Sequence, residues 1–130
     1  MSAFLDTNVL IRHLTGDPPE MAARATVALA GEEPLLLSDL VVAECVYVLE
    51  SFYEVERARV AELMRAALAL PSVSVIDTSL LLRALEVYEV DRLDFAEAYL
   101  VATAEATAVG AIVSFDRSID RVATVKRIEP

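Results

Sequence analysis

Ala3-Phe4-Leu5-Asp6-Thr7-Asn8-Val9-Leu10 opens the chain with an apolar run that stops at an acid and restarts at helical spacing. Ala3 to Leu5 reads as a strand, and Asn8 to Leu14 as a short helix. The same alternation repeats outward. Thr15-Gly16-Asp17-Pro18-Pro19 is a turn, and Pro19 suits the first turn of a helix running to about Ala30 and ended by Gly31. Leu35 to Leu37 is a second strand. Ser38 can N-cap a helix from Asp39 to about Ser51. A further helix spans roughly Glu54 to Leu70, stopped by Pro71. Val73 to Ile76 is a third strand, and Asp77 or Thr78 caps a helix to about Tyr88. Asp94 begins a long helix ending near Gly110. Ala111 to Ser114 and Thr124 to Ile128 are the last two strands. This order predicts an α/β fold: a three-layer α/β/α sandwich around a central, mainly parallel five-stranded sheet. Apolar runs such as Leu35–Leu37 and Ala111–Val113 predict strands covered on both faces. The length of 130 residues fits one domain, residues 1–130.

Composition narrows the chemistry. The 21 Asp and Glu residues outnumber 11 Lys and Arg, for a formal charge of −10. That balance argues against simple electrostatic binding of nucleic acid. One His (His13) and one Cys (Cys45) cannot build a zinc site from nitrogen and sulfur ligands, nor support catalysis by paired histidines. A single Cys forms no internal disulfide and agrees with a reducing cytosol, so a cytoplasmic protein is expected. The longest charge-free run, Ala66 to Ile76, is interrupted by Pro71, so no membrane span is predicted. Neither is a signal peptide.

If metal chemistry occurs here, its ligands must be mostly carboxylate oxygens. In parallel α/β sheets, ligands gather beyond the carboxyl ends of the strands. Asp6 follows the first strand and Asp116 the fourth. Either acid alone can cap the next turn. Glu44 is the only charge in Leu40–Leu49, and a charged side chain in a helix apolar almost all round is costly to bury unless paired or bound to metal. Asp94 and Glu97 share the start of the long helix; their spacing resembles a capping box and also sets two carboxylates close together. Several converging carboxylates repel one another and need a neutralising partner. All-oxygen ligands favour Mg²⁺ or Mn²⁺. Such sites hydrolyse phosphodiesters, and the ion would bridge an acidic protein to an anionic substrate.

Phe4-Leu5-Asp6-Thr7-Asn8-Val9-Leu10, the isolated Glu44, Asp94-Phe95-Ala96-Glu97-Ala98 and Ser114-Phe115-Asp116-Arg117 together resemble the PIN-domain nucleases, with the VapC-type toxins of prokaryotic toxin–antitoxin pairs as the nearest group. The resemblance covers nearly the whole chain in order. It implies a sandwiched parallel sheet, a Mg²⁺-dependent endoribonuclease, a homodimer and a cognate antitoxin that blocks the site. It implies metal-binding and catalytic roles for Asp6, Glu44, Glu97 and Asp116. The family usually carries Asp where Glu97 stands, and Asp94, one turn earlier, can share or take that role. Thr7, Asn8 and Ser114 resemble the family's polar residues that orient the carboxylates and water. An RNA-processing PIN nuclease without an antitoxin, or a catalytically weak PIN-like binding protein, fits the same residues.

Other residues read more plainly. His13 is expected to be satisfied or partly exposed, Cys45 a small core residue, Asp77 an N-cap and Asp120 a solvated turn acid. Arg12, Arg92, Arg117 and Arg121 read as surface residues, each able in principle to meet an RNA phosphate. Leu80-Leu81-Leu82 reads as core. The apolar stretch Leu40–Leu49 suits either a dimer or an antitoxin interface.

Overall fold

A computed structural model describes residues 1–130, which form two compact units, Met1–Ile76 and Asp77–Pro130. The first unit contains β1 (Ala3–Phe4), α1 (Thr7–Thr15), α2 (Pro19–Leu29), β2 (Leu35–Leu36), α3 (Asp39–Ser51), α4 (Arg57–Leu68) and β3 (Val73–Ser74). Its strands pair in parallel in the order β1-β2-β3, with Ala3 opposite Leu35 and Leu35 opposite Val73. Local chemistry sets the element ends. Ser38 Oγ accepts from the Val41 N–H at 3.3 Å and starts α3. Gly16 ends α1 in the left-handed region, its N–H reaching the Arg12 carbonyl at 2.8 Å. The buried Ser72 hydroxyl donates to the Leu29 carbonyl at 2.6 Å and ties the end of α2 to the start of β3. Leu10, Leu37, Val42, Leu49, Val60 and Met64 are among the large side chains buried most completely in this core.

The second unit contains α5 (Thr78–Val90), α6 (Phe95–Ala106), β4 (Ala111–Val113), a 3₁₀ helix (Arg117–Arg121) and β5 (Lys126–Ile128). α5 and α6 pack together. Leu81, Leu85 and Tyr88 on α5 and Phe95, Ala98 and Val101 on α6 are buried, and the rings of Tyr88 and Phe95 meet edge to face at 6.2 Å. Arg83 forks onto Glu105 across the two helices, with Nε 2.8 Å from Oε1 and Nη2 2.9 Å from Oε2. β4 and β5 pair in parallel, Ala111 opposite Lys126.

The α/β class with parallel pairing holds. The hydrogen bonding pairs the five strands as a set of three and a set of two. Each strand is only two or three residues long and offers few ladder bonds, and pairing runs only between strands successive in the chain. Cover on both faces holds at Leu35–Leu37, which are half-buried or buried, and fails in β1 and β4, where successive side chains point to opposite sides and one side lies open. Phe4 is 78% and Val113 67% exposed beside buried Leu5 and Ile112. α4 starts at Arg57 rather than Glu54, because Glu54 takes a positive φ of 52° that no right-handed helix admits. Of Leu80-Leu81-Leu82 only Leu81 is fully buried. No helix is long and apolar enough to cross a membrane.

Candidate active site

In the first unit, Asp6 stands at the N-cap of α1, where its Oδ1 accepts from the Thr7 N–H at 2.7 Å. The Thr7 hydroxyl donates to Glu44 Oε2 at 3.2 Å. One buried threonine thus links two carboxylates from distant parts of the chain. Glu44 itself is exposed, contrary to the burial expected from its apolar helix. The helical repeat explains the difference. Val42, Cys45, Val46 and Leu49 form the buried arc of α3, and Leu40, Glu44, Tyr47 and Ser51 fall on the opposite arc, all exposed. Leu40 and Tyr47 are 72% and 69% exposed, so the apolar run has two faces rather than one.

Asp6, Asn8, Arg12 and Glu44 line a cleft of about 390 Å³ whose wall also includes Phe52 and Tyr53. Arg12 is not the surface residue expected: it is half-buried, and its Nε is buried with no hydrogen-bond partner. Cys45 lies behind the acids in the core. Burial first, then the charges of Glu44 and Asp6, push its thiol up to about 12. A thiol so placed stays protonated and is no nucleophile. His13 Nδ1 lies 2.8 Å from the Thr26 hydroxyl, a satisfied histidine.

In the second unit, Asp94 occupies the N-cap of α6, but its side chain makes no capping bond, so the expected capping box does not form. Its exposed carboxylate is left to solvent and to its neighbours. Glu97, one turn inside the helix, is half-buried. Desolvation, followed by the charges of Asp116 and Asp94, raises its carboxyl above the usual range. Asp116 follows β4 and caps the 3₁₀ helix, accepting from the Ser118 N–H at 2.9 Å. The hydrogen bond of the Ser118 side chain first and that of its N–H second, with smaller help from Arg121 and Arg127, hold its carboxyl below the usual range. The Ser114 hydroxyl accepts the Asp116 N–H at 2.9 Å and fixes the bend that presents the acid. Asp77 caps α5 by accepting from the Leu80 N–H at 3.1 Å, as expected.

Three arginines support these turns in ways a reading of the sequence does not show. Arg121 Nη1 donates to the Arg92 carbonyl at 3.0 Å, bracing the turn before Asp94 from the helix that Asp116 caps. Arg92 takes a positive φ of 61° in that turn. Arg127 donates to the Ser114 carbonyl at 3.0 Å and forks onto Asp120 at 3.1 and 3.2 Å. Asp120, exposed as expected, is therefore also an anchor for Arg127. The signal was an arginine on a strand adjacent in space but distant in sequence, which local pattern does not reveal.

The acids thus form a pair joined by Thr7 in one unit and an electrostatically coupled trio in the other. Every donor is oxygen, so the set fits Mg²⁺ or Mn²⁺ in kind. No three His, Cys, Asp or Glu side chains stand close enough together to hold an ion.

A family model described as the PIN domain matches residues 3–125. No curated protein matches the chain. Among solved structures, the chain is similar to the crystal structure of VapBC2 from Rickettsia felis bound to a DNA fragment from their promoter. Identity is 15%, coverage 99% of this chain and 98% of that one, and the TM-score 0.41.

Proposed function

This chain belongs to the PIN-domain family, whose members are generally nucleases, and we propose that it is a Mg²⁺- or Mn²⁺-dependent endoribonuclease, the toxin of a type II toxin–antitoxin pair. The observation that carries the nuclease reading is the Thr7 bridge, which holds Asp6 and Glu44 side by side on an open cleft. The family match runs through both compact units, which supports one catalytic domain over residues 1–130.

In this reading Asp6, Glu44, Glu97 and Asp116 are the acids that would supply the cation's oxygen ligands, with Asp94 sharing or taking the part of Glu97; the Thr7-linked pair Asp6 and Glu44 is the part of the set already assembled. The bound ion would neutralise the carboxylates, attract the phosphate and acidify water for in-line hydrolysis. The chain's own residues do the positioning. Thr7 orients two acids at once, Ser114 and Arg127 fix the approach to Asp116, and Asn8 offers an amide beside Asp6.

An antitoxin and a second copy of the chain are the partners this reading assigns. The charge of −10 suits a basic antitoxin, and the exposed Leu40 and Tyr47 flanking Glu44 suit an apolar contact. The place of action would be the cytoplasm, where the RNA is.

The test is cleavage of single-stranded and structured RNAs by the purified chain. Cleavage in Mg²⁺ or Mn²⁺, lost on chelation and restored by excess ion, is expected. Chelator-resistant cleavage, or none on any RNA with either ion, would overturn the proposal.

A further inference from the structure

Between α1 and α2 lies a second cavity of about 320 Å³, lined by Asn8, Val9, Arg12, Met21 and Arg24 among others. We propose that it seats the RNA strand beside the scissile bond, with Arg12 and Arg24 taking backbone phosphates; this rests on the nuclease reading above. Three observations carry it. First, in a chain with 21 acids and 11 Lys or Arg, the groove is lined by two arginines and no acid. Second, Arg12 Nε is buried without a partner. An unmet buried donor is costly and is relieved when an anionic oxygen reaches it. Third, Asn8 and Arg12 line this groove and the Asp6–Glu44 cleft alike, so the two cavities share a wall. Arg12 lies six residues beyond Asp6 on the helix Asp6 caps, roughly 9 Å of rise at about 1.5 Å per residue.

An acidic protein segment would match the charge equally. The shared wall favours RNA, because a strand whose scissile phosphate meets Asp6 and Glu44 must continue past Asn8 and Arg12. Val9 and Met21 add an apolar surface suited to sugar and base faces.

The experiment measures binding of a short phosphorothioate-linked single-stranded RNA, which resists cleavage, to the full chain in Mg²⁺ over a range of salt. Arg24 is exposed, so Arg24→Gln should fold normally. Arg24→Gln should weaken binding several-fold. The Arg12→Gln/Arg24→Gln double variant should flatten the slope of log K against log salt by about 1.4, from two lost contacts at ~0.7 each. Arg59→Gln, which removes an exposed arginine paired with Glu62 on α4, is the charge control and should bind as the parent does. Unchanged binding in the groove variants, with the parent still cleaving RNA, would overturn the groove, assign it to another occupant such as an acidic protein segment, and leave the nuclease reading standing. An equal loss in Arg59→Gln would reduce the effect to bulk charge and also overturn it. A parent that neither binds nor cleaves RNA would sink the nuclease reading and this proposal with it.

Discussion

Glu97 shows how a single residue can be arranged against its own comfort. Its carboxyl is desolvated and faces the charges of Asp116 and Asp94, which raises its pKa. A carboxylate with a raised folded pKa makes the folded state bind more protons than the unfolded one between the ordinary and the raised value. Stability therefore falls as pH climbs through that interval. Glu97→Gln removes the charge and keeps the shape. It should raise the melting temperature of the metal-free protein at neutral pH, with the gain vanishing in acid, and it should cut RNA cleavage by a hundredfold or more if Glu97 holds the ion, in the range typical of lost electrostatic stabilisation. Thermal melts at several pH values and a cleavage assay read both. Unchanged cleavage would transfer the role to Asp94, whose carboxylate is free of any capping bond. Thr7 teaches the complementary lesson, since one short side chain and its own N–H orient two acids from different helices.

At the scale of elements, the helices were legible because capping and punctuation act locally. Ser38, Asp77 and Gly16 end or begin helices by bonds to residues three or four away. Asp6 and Asp116 at strand ends were legible for the same reason. Less legible was whatever depends on the far side of an element. Glu44 reads as buried when the apolar residues around it are counted, yet the helical repeat sets it on the outward arc with Leu40 and Tyr47. The parallel sense of the strands was legible but their grouping was not, for a related reason: two- and three-residue strands carry too little pattern to state their partners. Arg121 and Arg127 brace the Asp94 and Asp116 turns through carbonyl contacts no motif encodes. The Arg83–Glu105 fork makes a prediction at this scale. Arg83, foremost by its hydrogen bond, and the Thr124 hydroxyl hold the Glu105 carboxyl below its usual range. A depressed folded pKa gives stability that is present above the unfolded value and lost as pH falls through the folded one. Arg83→Met should therefore cost about 1 kcal/mol at neutral pH, a charge-assisted bond discounted for partial exposure. The difference from the parent should shrink once Glu105 protonates in both. A gap that persists undiminished in strong acid would assign the loss to packing of the arginine stem instead.

For the whole molecule, the excess of acid first reads as a bar to nucleic acid. Placement changes its meaning, because Asp6, Asp94, Glu97 and Asp116 stand at helix starts and strand ends, Glu44 faces the Asp6 cleft from the middle of α3, and the PIN-domain match spans them all. The chain's net charge of −10 gives RNA little reason to bind without a bridging cation, apart from the arginine-lined groove. Asp6→Asn tests the central claim most directly. It keeps an oxygen to cap Thr7 and removes one negative charge from the site. Cleavage of a labelled RNA in Mg²⁺ or Mn²⁺, measured alongside the melting curve, should fall to background while the fold and melting temperature stay near those of the parent. Full metal-dependent cleavage by a folded Asp6→Asn chain would contradict the account.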